Sequence, residues 1–219
     1  MNDKLKDAAK NMKELGLGAL THANRHAAYQ DPANDKWAEL SVLQAAHAAE
    51  ILIKARIAEE HPLLIFEKFP QTSEDDISLE ALFEKGTTVE WSQLPNRLWA
   101  TTGIHLENLE IFKAFGKTRN GIQHFGAVPY KMSPSLETLK FIYAVIDPFI
   151  NNCWGLYAID YDEDGDPYVN FLNTLISNEI KFLVSKQAAE CQEYWSSELE
   201  NCSPEYKNLM RKRICDALK

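Results

Sequence analysis

Apolar residues recur at helical intervals through most of the chain. A first strong stripe runs from Asp35-Lys36-Trp37 to Glu60 through Leu40, Leu43, Ala46, Ile53 and Ile57, and His61-Pro62 ends it. Gln71 to Asp76 reads as a loop, after which Ser78 caps a short helix containing Leu79, Leu82 and Phe83. Pro95 opens another short helix through Trp99. From His105 a helix continues through Leu109, Phe112 and Phe115, with a break or bend expected near Gly116 and Gly121 before a loop from Gly126 to Pro129. Leu136, Leu139, Ile142, Ile146 and Ile150 form a long stripe to about Tyr161, kinked or unwound at Pro148. Tyr168 to about Trp195 reads as a further helix, and Ser203-Pro204-Glu205 starts the last. There is no internal repeat and no convincing series of alternating strands. The pattern predicts an all-α bundle, one domain over residues 1–219, in which any sheet is minor.

Composition adds compartment and solvent. The 219 residues, 45% of them hydrophobic, suffice for one substantial core. No run approaches the roughly 18 apolar residues that cross a bilayer, and the polar Met1-Asn2-Asp3-Lys4 lacks the apolar region of a signal peptide. Cys153, Cys191, Cys202 and Cys215 show neither a C-x-x-C pair nor zinc-ribbon spacing. A cytoplasmic protein with reduced thiols, no membrane contact and no structural zinc is expected. The formal net charge of -9 argues against sequence-blind adhesion to nucleic acid, yet leaves room for a local basic cleft.

Three polar residues interrupt the first strong stripe. At about 100° per residue, His47, Glu50 and Lys54 fall in one sector that also carries Leu43 and Ile51. On helix geometry alone these residues sit at the edge of the core, with Glu50 and Lys54 forming an i,i+4 pair worth a few tenths of a kcal/mol. The segment Gln44-Ala45-Ala46-His47-Ala48-Ala49-Glu50-Ile51-Leu52-Ile53-Lys54-Ala55 also resembles the Gln-Ala-Ala-x-x-x-Glu-x-x-x-Lys-Ala helix of HEPN domains. That resemblance implies a helical bundle, commonly dimeric. Many such proteins are metal-independent ribonucleases that act as toxins, in phage defence or in RNA processing.

The family's second signature is Arg, four to six residues, then His, often with a polar residue straight after the Arg. Arg119-Asn120-Gly121-Ile122-Gln123-His124 matches it. Arg56-Ile57-Ala58-Glu59-Glu60-His61 has the same gap, but its follower is apolar and Arg56 points away from the His47, Glu50 and Lys54 sector, so it reads as a solvated helix end. The resemblance covers about residues 37–125, leaving 134–219 as a helical extension. Asn120 and His124 share a helix face, and Arg119 sits one step round with a side chain long enough to converge.

In metal-free RNA cleavage the ribose 2′-OH attacks its own phosphate, which requires a base, an acid for the leaving 5′-oxygen and cationic stabilisation. Histidine suits proton transfer near neutral pH and Arg offers a planar fork for phosphate oxygens. Arg119, Asn120 and His124 are the candidate catalytic residues, with Asn120 holding the phosphate or fixing His124, and with Glu50, His47 and Lys54 in support. One motif supplies one His, and the resemblance implies a homodimer whose facing motifs form a composite site. The residues alone also allow Arg119 to cap carbonyls and His124 to pack as a satisfied helix residue. Some toxins of this family carry a Tyr two residues after the His, where a partner attaches nucleotides. Here that position is Gly126, which removes the basis for that mode of inactivation and leaves a different protein antitoxin open.

Other constellations point to weaker chemistry. His22 and His26 have metal-ligand spacing, but the Glu of H-E-x-x-H is absent and Arg25 adjoins them. Asp160, Asp162, Asp164 and Gly165 match the front of a calcium loop whose twelfth position is Phe171 instead of Glu, so a solvated turn before a helix is expected. Lys207, Arg211, Lys212 and Arg213 concentrate charge in the last helix, either for RNA or to complement its dipole. Trp154, Tyr157, Tyr161 and Tyr168 read as core aromatics. The sequence therefore predicts an RNA-cleaving enzyme that needs no cofactor, or alternatively a noncatalytic module of the same bundle that binds a nucleotide or protein.

Overall fold

The computed structural model describes residues 5, 7–70, 79–126, 132–163, 168 and 170–219. Its elements are almost all helical, as the hydrophobic pattern predicts. The longest are α1 (Ala8–Ala28) and α2 (Trp37–Glu60), joined by a short loop and packed as an antiparallel pair, with Gly16 close to the middle of α1 against Leu52 in the second half of α2. A Cβ at Gly16 would lie 2.7 Å from Leu52 Cγ, so glycine permits this approach. No strong apolar stripe announces α1, because most of what it buries is small or polar: Gly16, Ala19, Leu20, Ala23, Asn24 and Ala27.

The second helix is the axle of the fold. Beyond α1 it meets α4 (Leu94–Thr102), α5 (Leu109–Phe125) and α6 (Pro134–Phe141), and its alanines at 45, 46, 48, 49 and 55 are all buried. A helix enclosed on so many sides loses the simple one-faced pattern of a surface helix. Between α2 and α4 the chain makes a 3-10 turn (Pro62–Ile65), strand β1 (Phe66–Lys68), helix α3 (Leu79–Lys85) and strand β2 (Thr87–Thr88). The two strands pair antiparallel, Phe66 opposite Thr88, as the whole of the described sheet. Ser78 and the loop expected at 71–76 lie outside the described residues.

Several expected boundaries change. The helix expected from His105 starts at Leu109, after Asn108 in a left-handed conformation, and runs unbroken through both Gly116 and Gly121. Gly116 marks a close approach, not a bend: a Cβ there would overlap Trp91 Nε1. The stripe from Leu136 to Ile150 splits into α6, a π-helical turn (Ile142–Ile146) and α7 (Asp147–Trp154), ending at Gly155 with φ 67° instead of near Tyr161. Proline at 148 has no N–H for the carbonyl of Ala144, and the Asn108 side chain donates to that carbonyl instead, at 2.7 Å.

The helix expected over 168–195 stops early. Its observed part is α8 (Asn170–Ser177), followed by a turn and an irregular stretch, the short α9 (Lys186–Glu190) and 3-10 turns (Gln192–Tyr194 and Ser196–Asn201) before α10 (Pro204–Ala217). Buried polar groups tie these pieces to the bundle. Asn24 Nδ2 donates to the carbonyls of Ala158 and Tyr161, and Asp147 accepts from the backbone N–H groups of Ala158 and Leu183. No helix among the described residues is long and apolar enough to cross a membrane.

Candidate functional site

The polar sector of α2 faces the middle of α5 through one carboxylate. Glu50 accepts from Lys54 Nζ at 2.6 Å with one oxygen and pairs with Arg119 Nη2 at 3.1 Å with the other. The i,i+4 spacing on α2 sets the first contact, and the packing of α5 on α2 sets the second. Lys54 also donates to Thr88 Oγ1 of β2 at 3.1 Å, which joins the small sheet to the cluster. Its side chain is only 7% exposed, whereas those of Glu50 and Arg119 are 23% and 21% exposed. The three charges leave one positive charge in excess.

Arg119 is oriented on every side. Its Nη1 donates to Asn120 Oδ1 at 2.9 Å and to Gln123 Oε1 at 3.2 Å, while its guanidinium carbon lies 5.4 Å from the Trp91 ring centre. The indole is itself stacked on Phe112, with ring centres 4.1 Å apart and planes within 1°. Of the five guanidinium N–H groups, the Nε–H and one on Nη2 have no hydrogen-bond partner among the described residues. Next to Arg119, Thr118 Oγ1 donates to Glu137 at 2.6 Å and fastens α5 to α6.

The candidate residues divide into two groups. Glu50, Lys54, Arg119 and Asn120 form one connected cluster. His47 and His124 are exposed and make no hydrogen bond or ion pair to it among the described residues. On an unbroken helix Arg119 and His124 are about 140° apart, and Glu50 draws the guanidinium towards α2. Beside His124, Phe125 is 84% exposed at the helix end. Thr88, Trp91 and Gln123 were not legible as site members, since each joins through tertiary contact or through a long side chain that fits many roles.

The remaining constellations have structural partners. His22 Nδ1 meets Glu163 at 2.7 Å, while the His26 ring packs 4.0 Å from Trp37. Burial, then the neighbouring His22, moves His26 below the usual histidine range, partly offset by Glu163. Among the described residues no three His, Cys, Asp or Glu side chains group as metal ligands. Asp160 is exposed, and its Oδ1 accepts from Tyr168 OH at 3.0 Å and Ser185 Oγ at 2.7 Å. Asp164 and Gly165 lie outside the described residues.

The basic run of α10 is largely committed, and none of it lies in the last turn where it would complement the dipole. Lys207 and Arg211 bind Glu200, and Arg213 donates to the carbonyl of Phe182. Trp154, expected in the core, is half-buried and donates to Glu59 at 2.7 Å. Near the second Arg-to-His spacing, Arg56 pairs with Glu59 and Glu60, and His61 Nδ1 caps the N–H of Leu63. Comparison with protein families, curated proteins and solved structures finds no match to this chain.

Proposed function

We propose that the chain is a metal-independent endoribonuclease of the HEPN type, working as a homodimer in the cytoplasm as a toxin or phage-defence effector. The observation that carries this reading is Arg119: Glu50 and Trp91 hold its guanidinium in place while two of its N–H groups have no partner among the described residues and can meet a phosphate. In the proposed reaction the 2′-oxygen bonds to phosphorus as its proton passes to one His124. The phosphorus–5′-oxygen bond breaks and the leaving oxygen takes a proton from the second His124. The products are a cyclic phosphate and a 5′-hydroxyl.

The dimer in this reading rests on the resemblance, and the geometry of one helix is compatible with it. Because Arg119 and His124 diverge around α5, a second copy is the simplest source of a His to face the first copy's Arg. Asn120, exposed beside Arg119, is assigned to the phosphate. A protein antitoxin is a compatible partner.

The test is total RNA incubated with the purified protein in EDTA, with fragment ends mapped. Cleavage that disappears in Arg119→Ala and His124→Ala is the expected result. Equal cleavage by either variant refutes the catalytic assignment. A noncatalytic binding module is the second reading, favoured by the engagement of Arg119 with three side-chain acceptors; RNA left intact by the wild type under every condition tried selects it.

A further inference from the structure

A groove of about 800 Å³ opens at the other end of α5, roughly 12 Å along the helix from Arg119 as measured from Ile111. That volume lies within the range of small-molecule sites. Four segments that are distant in sequence build it: the start of α5, the continuous run of α6, the π-helical turn and α7, the non-helical stretch after α8, and α10. Its apolar wall includes Ile111, Tyr143, Pro148 and Leu183.

The groove carries a small positive excess, three cations against two carboxylates, on a chain whose net charge is -9. Lys140, Lys181 and Arg213 line it from three different elements, against the carboxylates of Glu107 and Glu179. Glu179 is already engaged, with one oxygen accepting from Ser203 N–H at 2.6 Å and the other from Ser203 Oγ at 2.9 Å. Lys140 has no ion-pair partner among the described residues, and Lys181 pairs with the exposed Glu205 at 3.6 Å and lies close enough to Glu179 to stabilise its charge. Asn152 lines the groove with its whole amide unpaired among the described residues, and Asn108 and Asn151 use only their N–H₂ groups, on Ala144 and Leu156.

The walls are built in advance. Among the described residues, Asn108 and Glu179 are two of the three non-glycine residues with positive φ, at 52° and 48°, and both line this groove. Such backbone persists only where surroundings over-determine it. Asn108 is fixed by the carbonyl that Pro148 leaves free, and Glu179 occupies the C-terminal turn of α8, a place that favours glycine, because its carboxylate caps the start of α10. Asp147 accepts the Leu183 N–H at 2.8 Å and Arg213 holds the neighbouring Phe182 carbonyl, so the far wall is rigid as well.

We propose that this groove binds a small phosphorylated organic molecule, its phosphate held by Lys140, Lys181 and Arg213 and its polar body by the amides of Asn151 and Asn152. Three cations on separate elements suit an anion with several oxygens, and the side-chain amides suit hydroxyl or amine groups. The site is independent of the nuclease reading, since none of its residues belongs to the Glu50 and Arg119 cluster.

Calorimetry with pyrophosphate as probe, at fixed low salt, tests the phosphate subsite. Saturable binding with one site per chain and a Kd of about 1 mM or tighter is expected. The Lys140→Ala/Lys181→Ala double variant, which removes two exposed side chains and should fold normally, is expected to bind about tenfold more weakly. No saturation up to about 10 mM, or the same affinity in the double variant, overturns the proposal.

Discussion

Replacing Glu50 by Gln isolates the one contact that joins the two halves of the candidate site. The carboxylate neutralises two cations, of which Lys54 is 7% exposed and has Thr88 Oγ1 as its remaining partner. Breaking a fully buried ion pair by removing one partner costs about 3–5 kcal/mol. Glu50 itself is 23% exposed, so water screens part of this, and glutamine keeps an oxygen for the lysine. The expected destabilisation is about 2 kcal/mol. Urea titration measures it as a lower midpoint at unchanged slope. Lys54→Met in the same background removes the stranded charge and should recover part of the loss, so a double-mutant cycle gives a coupling of about 1–3 kcal/mol. A Glu50→Gln protein within about 0.5 kcal/mol of wild type would refute the reasoning, because Lys54 would then not depend on that carboxylate.

Three further perturbations probe other parts of the fold. Gly116→Ala puts a methyl group 2.8 Å from Trp91 Cδ1, where the Phe112 stack prevents retreat; a net loss of about 1–2 kcal/mol and a changed near-ultraviolet tryptophan signal are expected, and a more stable variant would contradict the packing. Burial pushes the Asp147 carboxyl up to about 7, against the opposing effect of the Ala158 and Leu183 N–H groups and Arg213. The folded chain thus holds an extra proton between the unfolded value near 4 and pH 7, so stability present below about pH 4 is lost as pH rises, on the order of 4 kcal/mol. In Asp147→Asn that slope should vanish, whatever the change in absolute stability; urea midpoints between pH 5 and 8 with an unaltered slope would count against it. Ser185→Ala removes the cap of α9 and the bond to Asp160, with an expected loss of about 1–2 kcal/mol by thermal or chemical unfolding.

Apart from α2, which is buried nearly all round, the elements that were readable share one physical property: their apolar residues are large and face one side. This holds for the stripe at Leu136, Leu139, Ile142, Ile146 and Ile150, and for Phe112 and Phe115 on α5, all but Leu136 buried. The first helix escaped because alanines and Gly16 make its contact with α2, and small residues carry little hydropathy even when their close packing is extensive. Boundaries were less readable than elements. Gly116 looks like a breaker in the chain, and only Trp91, 25 positions earlier in the sequence, explains it as a space kept clear. Pro148 marks a disturbance, but the relief comes from Asn108 on another element.

By itself the sequence determined the helical class, because the 3.6-residue period is a local property, and it placed Glu50 and Lys54 on one face and Arg119 and Asn120 side by side. Whether those pairs would meet depended on how α5 crosses α2. Only the tertiary structure joined Glu50 to Arg119, with Trp91 beside it, and turned His124 outward. It alone also assembled the groove of Lys140, Lys181 and Arg213, whose members are separated by stretches of chain that no local pattern can bridge.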